Sequence, residues 1–171
     1  MPTAYINIGS NMGDRHALIE LAVARIIDAI EMGKSLRTLE AVSPLLRRSD
    51  FVESEPWGYD SPYPFLNLGL AIETDIPPGA LLDLLLGVER SISPAPHRTP
   101  SGGYADRLID IDLIAYGDLV VDTPRLTLPH PRMHLRDFVL RPMTQLAPEW
   151  RHPLSGLTSA EMLDRLSRQI T

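Results

Sequence analysis

The sequence predicts an α+β fold, an antiparallel sheet with helices packed on one of its faces. Two observations predict it. Stretches with apolar residues at every second position alternate with stretches in which they recur at helical spacing. These stretches run in the order strand, helix, strand, strand, helix, strand, with further elements after them. The chain has 171 residues and 44% hydrophobic content, enough for the core of one domain spanning residues 1–171.

The first strand is Ala4 to Ile8, ended by the turn Gly9-Ser10-Asn11. Asp14 offers an N-cap for a helix reaching about Ile30, with Leu18, Leu21, Ala22, Ile26, Ala29 and Ile30 on one face. Thr38 to Val52 reads as a long irregular strand broken by Pro44, followed by a proline-rich loop from Glu55 to Pro64. Phe65 to Glu73 is the third strand. Pro78 can open a helix because its missing N–H costs nothing in the first turn, and Leu81, Leu85, Val88 and Ile92 give that helix an apolar face. Leu108 to Tyr116 is the fourth strand. Gly117-Asp118 turns into a short hairpin around Leu119 to Val121, His134 to Leu146 is helical despite Pro142, and Ser159 to Ile170 is a C-terminal amphipathic helix. The βαββαβ order is the ferredoxin-like arrangement, extended by a C-terminal hairpin and helices, and it leaves one sheet face open for a ligand.

Composition excludes several function classes. A net charge of −6 argues against a general nucleic-acid binder, which needs a basic surface. The absence of cysteine removes disulfides, thiolate metal sites and a cysteine nucleophile, and suits a reducing cytoplasm. Met1 to Gly9 does not read as a signal peptide, and no apolar run approaches the roughly 20 residues that span a bilayer. No large apolar surface calls for a partner subunit, so a monomer is expected.

The sharpest chemical signal is Arg107-Leu108-Ile109-Asp110-Ile111-Asp112-Leu113. Alternation turns Asp110 and Asp112 to one face, about 7 Å apart along the strand, and turns the aliphatic residues to the other. Two neighbouring carboxylates repel unless a cation lies between them, and hard oxygen ligands suit magnesium beside phosphates. The same pattern also fits the polar face of an edge strand. The preceding stretch, Ser91 to Gly103, has three prolines, two glycines and four serines or threonines, and together with Arg107 it favours the phosphate reading.

Gly103 to Leu113 resembles the signature of the 6-hydroxymethyl-7,8-dihydropterin pyrophosphokinase family: an aromatic, Gly-Pro-Arg, two residues and Asp-x-Asp. Tyr5-Ile6-Asn7-Ile8-Gly9-Ser10-Asn11 resembles the family's opening strand and turn. Glu55-Pro56-Trp57-Gly58-Tyr59 with Phe65-Leu66-Asn67 resembles its pterin loop and strand, and Leu126-Thr127-Leu128-Pro129-His130-Pro131 with Arg136 and Phe138 its nucleotide segment. The likeness spans roughly residues 4 to 153, and four motifs in the right order are specific where each alone is weak.

The resemblance implies transfer of pyrophosphate from ATP to 6-hydroxymethyl-7,8-dihydropterin in folate biosynthesis, with AMP leaving. It implies that Phe65 and Phe138 stack on the pterin, that Asn67 meets its edge, and that Ser54 and Trp57 contact it through backbone. It places Glu89, Arg125, Thr127, His130 and Arg136 around ATP, two magnesium ions on Asp110 and Asp112, and Arg107 on the phosphates. Taken singly, Phe65 also fits core packing, and the charged residues fit an ordinary surface.

The sequence departs from the family pattern in the loop. Prolines stand where the family has Leu-Gly-Arg-x-Arg after the helix glutamate, so Arg98 becomes the candidate for the second lid arginine. Ala105-Asp106 replaces Gly-Pro before Arg107. Two other classes therefore stay open: a binding module that has lost its lid chemistry, and a metal-dependent nucleotidyltransferase that would release pyrophosphate instead of AMP. A nucleic-acid-binding ferredoxin-like domain lacks the aromatic strand signature and basic face it needs.

Overall fold

The computed structural model describes residues 1–35, 46–94 and 105–170. It is a mixed structure of helices and an antiparallel sheet. The elements are β1 (Thr3–Ser10), α1 (Arg15–Ser35), β2 (Leu46–Arg48), β3 (Val52–Ser54), β4 (Phe65–Glu73), α2 (Pro78–Ile92), β5 (Asp110–Tyr116), the pair β6 (Val121–Asp122) and β7 (Thr127–Leu128), a 3-10 turn (Met133–Leu135), α3 (Asp137–Leu146) and α4 (Ser159–Ile170). The main sheet has the order β2-β4-β1-β5, with β3 also paired to β4, and every pairing is antiparallel.

The expected start signals operate. The Asp14 carboxylate accepts from the Ala17 N–H at 3.1 Å, which satisfies one orphan donor at the start of α1. Pro78 occupies the first turn of α2. The buried stripe of α1 is Ile19, Ala22, Val23, Ile26 and Ile30, whereas Leu21 is 39% exposed and lies off the face expected for it. The stripe follows i, i+3, i+4, i+7 from Ile19, and Leu21 falls outside that arc.

The expected long strand over residues 38–52 lies partly outside the described residues, and its described end is broken. Ser49 interrupts β2 and β3 while still serving β4. Its N–H donates to the Gly69 carbonyl at 3.0 Å, and its hydroxyl accepts from the Gly69 N–H at 2.8 Å. The chain can therefore swing out here without leaving the central strand unpaired. The expected 134–146 helix is likewise split, because Arg136 is extended between the 3-10 turn and α3.

Helices do not pack on one face only. One core lies between α1 and α2 and the face carrying Ile6, Ile8, Leu66, Leu68, Leu70, Ile111 and Leu113. A second lies on the opposite face, where Tyr5, Ala71, Ile114 and Ala115 meet Val139, Leu140, Met143, Leu146 and Met162 of α3 and α4. A bulge in β5 makes this possible. The β1–β5 register shifts between Tyr5 and Ile6, whose partners are Ala115 and Leu113. Ile114 is the extra residue, so two consecutive apolar side chains reach the second core. Gly69 permits the close approach of α3, since a Cβ there would lie 2.7 Å from the Pro142 side chain. The open face expected from the sequence is thus only its front part.

Candidate active site

Strand register lays the second face out in rows. The front row is Asn67, Gly9, Asp110; behind it come Gly69, Asn7, Asp112; behind that Ala71, Tyr5, Ala115. The third row lies under α3 and α4. The front row and Asn7 floor a cavity walled by Ser54, Trp57, Tyr59, Phe65, Arg107, Arg136 and Phe138. Gly9 keeps the floor low, because a Cβ there would meet Asn67 Oδ1 at 3.1 Å.

On the β4 side, the sequence-predicted residues Ser54, Trp57, Phe65, Asn67 and Phe138 all line this cavity. Asn67 is almost fully buried, and its amide donates to the Val52 carbonyl at 3.0 Å and to Ser54 Oγ at 2.8 Å. Both N–H groups are thereby engaged, so what Asn67 offers a ligand is an acceptor, Oδ1. Trp57 stacks under a guanidinium: Arg136 Cζ lies 4.5 Å from its ring centre and 5.8 Å from that of Phe138.

On the β5 side, each carboxylate has an arginine. Arg107 Nη1 lies 3.2 Å from Asp110, and Arg136 Nη1 lies 3.8 Å from Asp112. Burial, then the charge of Asp110, raises the Asp112 pKa well above the ordinary carboxylate range, and the nearby Arg136 only partly offsets this. Asp112 nevertheless keeps 30% of its side chain exposed, so a hydrated cation can reach it. Arg107 is fixed from both sides. Its backbone N–H donates to Asn11 Oδ1 at 2.9 Å, and its carbonyl accepts from the Asn11 N–H at 3.2 Å.

The predicted nucleotide residues lie around the β5 end, outside the cavity wall apart from Arg136. Glu89 accepts from the Ile111 N–H at 2.8 Å, which covers the outer edge of β5, and its charge reaches Asp112. Arg125 is paired with Asp83 on the surface and Thr127 is exposed in β7. His130 is anchored through its N–H to the Ile114 carbonyl at 2.7 Å. Its Nδ1 accepts from the Arg132 N–H at 3.1 Å, so the ring proton of the neutral form sits on Nε2. Burial, then Arg136 and Arg132, lower its pKa to about 4. Arg98 lies outside the described residues.

Sequence reasoning missed Asn7, Gly9, Tyr59 and Asp106 as parts of the site. Asn7 had a readable signal, a polar side chain between Ile6 and Ile8 in a strand. Asp106 was visible only as a departure from Gly-Pro. It accepts hydrogen bonds from Asn11 Nδ2 at 2.7 Å and Tyr59 OH at 2.9 Å, tying the 55–64 loop to the residue before Arg107.

Comparison with known proteins finds relatives over most of the chain. The model of the family described as 7,8-dihydro-6-hydroxymethylpterin-pyrophosphokinase (HPPK) matches residues 5–148. A Porphyromonas gingivalis 2-amino-4-hydroxy-6-hydroxymethyldihydropteridine pyrophosphokinase is 40% identical over 154 residues, covering 90% of this chain and 95% of the relative. The Aquifex aeolicus protein of the same name is 32% identical over 154 residues, covering 90% and 86%. Among solved structures, Plasmodium falciparum HPPK-DHPS A437G with STZ-DHP superposes with a TM-score of 0.68 at 12% identity, covering 99% of this chain. The chain spans about 46% of that longer protein, and the likeness is one of fold.

Proposed function

The chain belongs to the 7,8-dihydro-6-hydroxymethylpterin-pyrophosphokinase family, and on that premise we propose that it transfers the pyrophosphoryl group of ATP to 6-hydroxymethyl-7,8-dihydropterin, a step of folate biosynthesis. The hydroxymethyl oxygen bonds to the β-phosphorus, the bond from that phosphorus to the α,β-bridging oxygen breaks, AMP leaves, and the hydroxyl proton is released. The observation that carries this reading is the front row of the face. Asn67 and Asp110 flank Gly9, so an acceptor for the pterin edge and a carboxylate for the phosphate end lie on one floor, one strand apart on either side.

Phe65 and Phe138 flank the heterocycle, with Trp57 and Ser54 at the cavity wall. Asn67 Oδ1 accepts from a ring donor. Arg107 and Arg136 neutralise phosphate charge, which is the main task in a reaction of this type. Neutral His130 has Nε2–H available as a donor toward the nucleotide, with Arg125, Thr127 and Glu89 at the same end. Arg98 remains the proposed second lid arginine. The carboxylate pair fits magnesium: its donors are hard oxygens, both carboxylates are reachable, and the pair lacks enough positive charge of its own. Asp110 and Asp112 would hold two such ions, which when bound screen the phosphates and acidify the attacking hydroxyl.

The ferredoxin-like reading is supported by the β2-β4-β1-β5 order, in which β1 and β4 are interleaved between the strands their helices lead to. No described helix is long and apolar enough to cross a membrane. We take the chain as one catalytic domain, a cytoplasmic monomer with small-molecule partners. The test is product analysis with ATP, magnesium and 6-hydroxymethyl-7,8-dihydropterin. AMP and pterin diphosphate formed together, only with magnesium, is the expected result. Pyrophosphate release, or pterin binding without AMP, overturns it.

A further inference from the structure

We propose that the indole of Trp57 is the platform that holds Arg136 for the nucleotide, a positioning role that rests on the pyrophosphoryl-transfer reading of the site. The family resemblance gives Trp57 a pterin contact through its backbone and leaves its side chain without a task. Trp57 lies in the 55–64 loop between β3 and β4 and lines the cavity. Its ring also meets the segment that leads into α3. Arg136 Cζ stands over it, 4.5 Å from the ring centre, and Arg132 Cζ lies at 5.9 Å. Both distances are within reach of a cation–π contact.

The way Arg136 is held sets what it can do. Its side chain is 10% exposed, and its Nη1 is 3.8 Å from Asp112, too far for a hydrogen bond. An ion pair of that length draws the guanidinium towards β5 but does not fix it. Of the two aromatic faces beside it, Trp57 is nearer than Phe138, which lies at 5.8 Å. A cation over the face of a ring is held by the ring's quadrupole and not by a lone-pair acceptor, so its terminal N–H groups stay available to phosphate oxygens. Exclusion of water from this setting strengthens the contact. Trp57 thus places a phosphate-binding charge without touching the phosphate. It does so from the loop that walls the pterin end, so one side chain ties the two ends of the cavity together.

The test is a double-mutant cycle read on nucleotide affinity. The wild type, Trp57→Leu, Trp57→Phe, Arg136→Gln and the double variant Trp57→Leu/Arg136→Gln are titrated with α,β-methylene-ATP and magnesium, and separately with 6-hydroxymethylpterin. Trp57→Leu should weaken the nucleotide about ten-fold. Trp57→Phe keeps an aromatic face and should stay within about three-fold of wild type. With Arg136→Gln already in place, the leucine change should cost less than about two-fold, because the charge it served is gone. Pterin binding reports whether the loop is intact, and in both single Trp57 variants it should move by less than about three-fold, since the neutral ring does not use the Arg136 charge. Additive losses around the cycle, a phenylalanine variant as weak as the leucine variant, or pterin and nucleotide affinities falling together overturns the proposal. A wild type that binds neither ligand overturns the pyrophosphoryl-transfer reading itself.

Discussion

Asp110 and Asp112 share a face by alternation, yet their surroundings differ. Asp110 is held by Arg107, while Asp112 is raised by burial first and by Asp110 second. Either change, Asp110→Asn or Asp112→Asn, should lower turnover by roughly 10²-fold or more. Asp112→Asn should also leave the free protein at least as stable at neutral pH, since it removes a charge that burial disfavours. Steady-state rates and thermal midpoints check the two halves together. His130 carries a separate prediction. With its pKa lowered to about 4, it stays neutral through physiological pH. Its ring NMR signals should not titrate between about pH 8 and 5.5, where a free histidine changes state near about 6.5. The sign follows: the folded state prefers neutral His130, so this contribution to stability is complete above the unfolded pKa and fades as pH falls towards the folded one.

At the scale of elements, two joints set the site. The first is the contact of β4 with α3. Gly69→Ala would press a methyl against Pro142 and Leu146, at 2.7 and 3.0 Å, and should cost about 1–3 kcal/mol by overpacking. Because α3 carries Phe138 at its start, the same variant should weaken pterin binding, measurable by titration beside denaturant unfolding. The second is the clip of Asn11, Tyr59 and Asp106. Burial pushes Asp106 up, but hydrogen bonds from Ser61, Asn11 and Tyr59, with Arg107 nearby, outweigh it and the net shift is down. Asp106→Ala should cost about 1–2 kcal/mol at pH 7. A group lowered in the folded state stabilises above its unfolded pKa, so the gap between variant and wild type should close as pH falls through the ordinary aspartate range and below.

For the whole molecule, the sheet works as a partition. One face is wholly given to the α1–α2 core, and the other is divided between the α3–α4 core and the ligand floor. The charge is divided as well. The chain carries a net −6, yet Arg107, Arg132 and Arg136 gather at the cavity and beside Trp57. Two of these guanidiniums stand against the carboxylates of Asp110 and Asp112 and offset part of their charge, so on the proposed function they are the groups that meet a nucleotide's phosphates. Raising ionic strength from about 0.05 to about 0.5 M should weaken nucleotide binding several-fold while leaving binding of the neutral pterin nearly unchanged, as paired titrations would report.

Alternation is a property of the local chain, and it made Asp110 and Asp112 neighbours, turned Asn67 away from Leu66 and Leu68, and marked the apolar faces of α1 and α2. The order of four short motifs gave the family. What the chain could not state locally was adjacency between residues 50 to 100 positions apart. That Gly9 stands between Asn67 and Asp110, that Arg136 lies over Trp57, and that Asn11 holds Arg107 all depend on strand pairing and loop closure. The bulge at Ile114 and the contact permitted by Gly69 then decided how much of the second face α3 and α4 would cover, because side-chain volume across an interface, and not periodicity along a strand, sets where packing stops and the cavity begins.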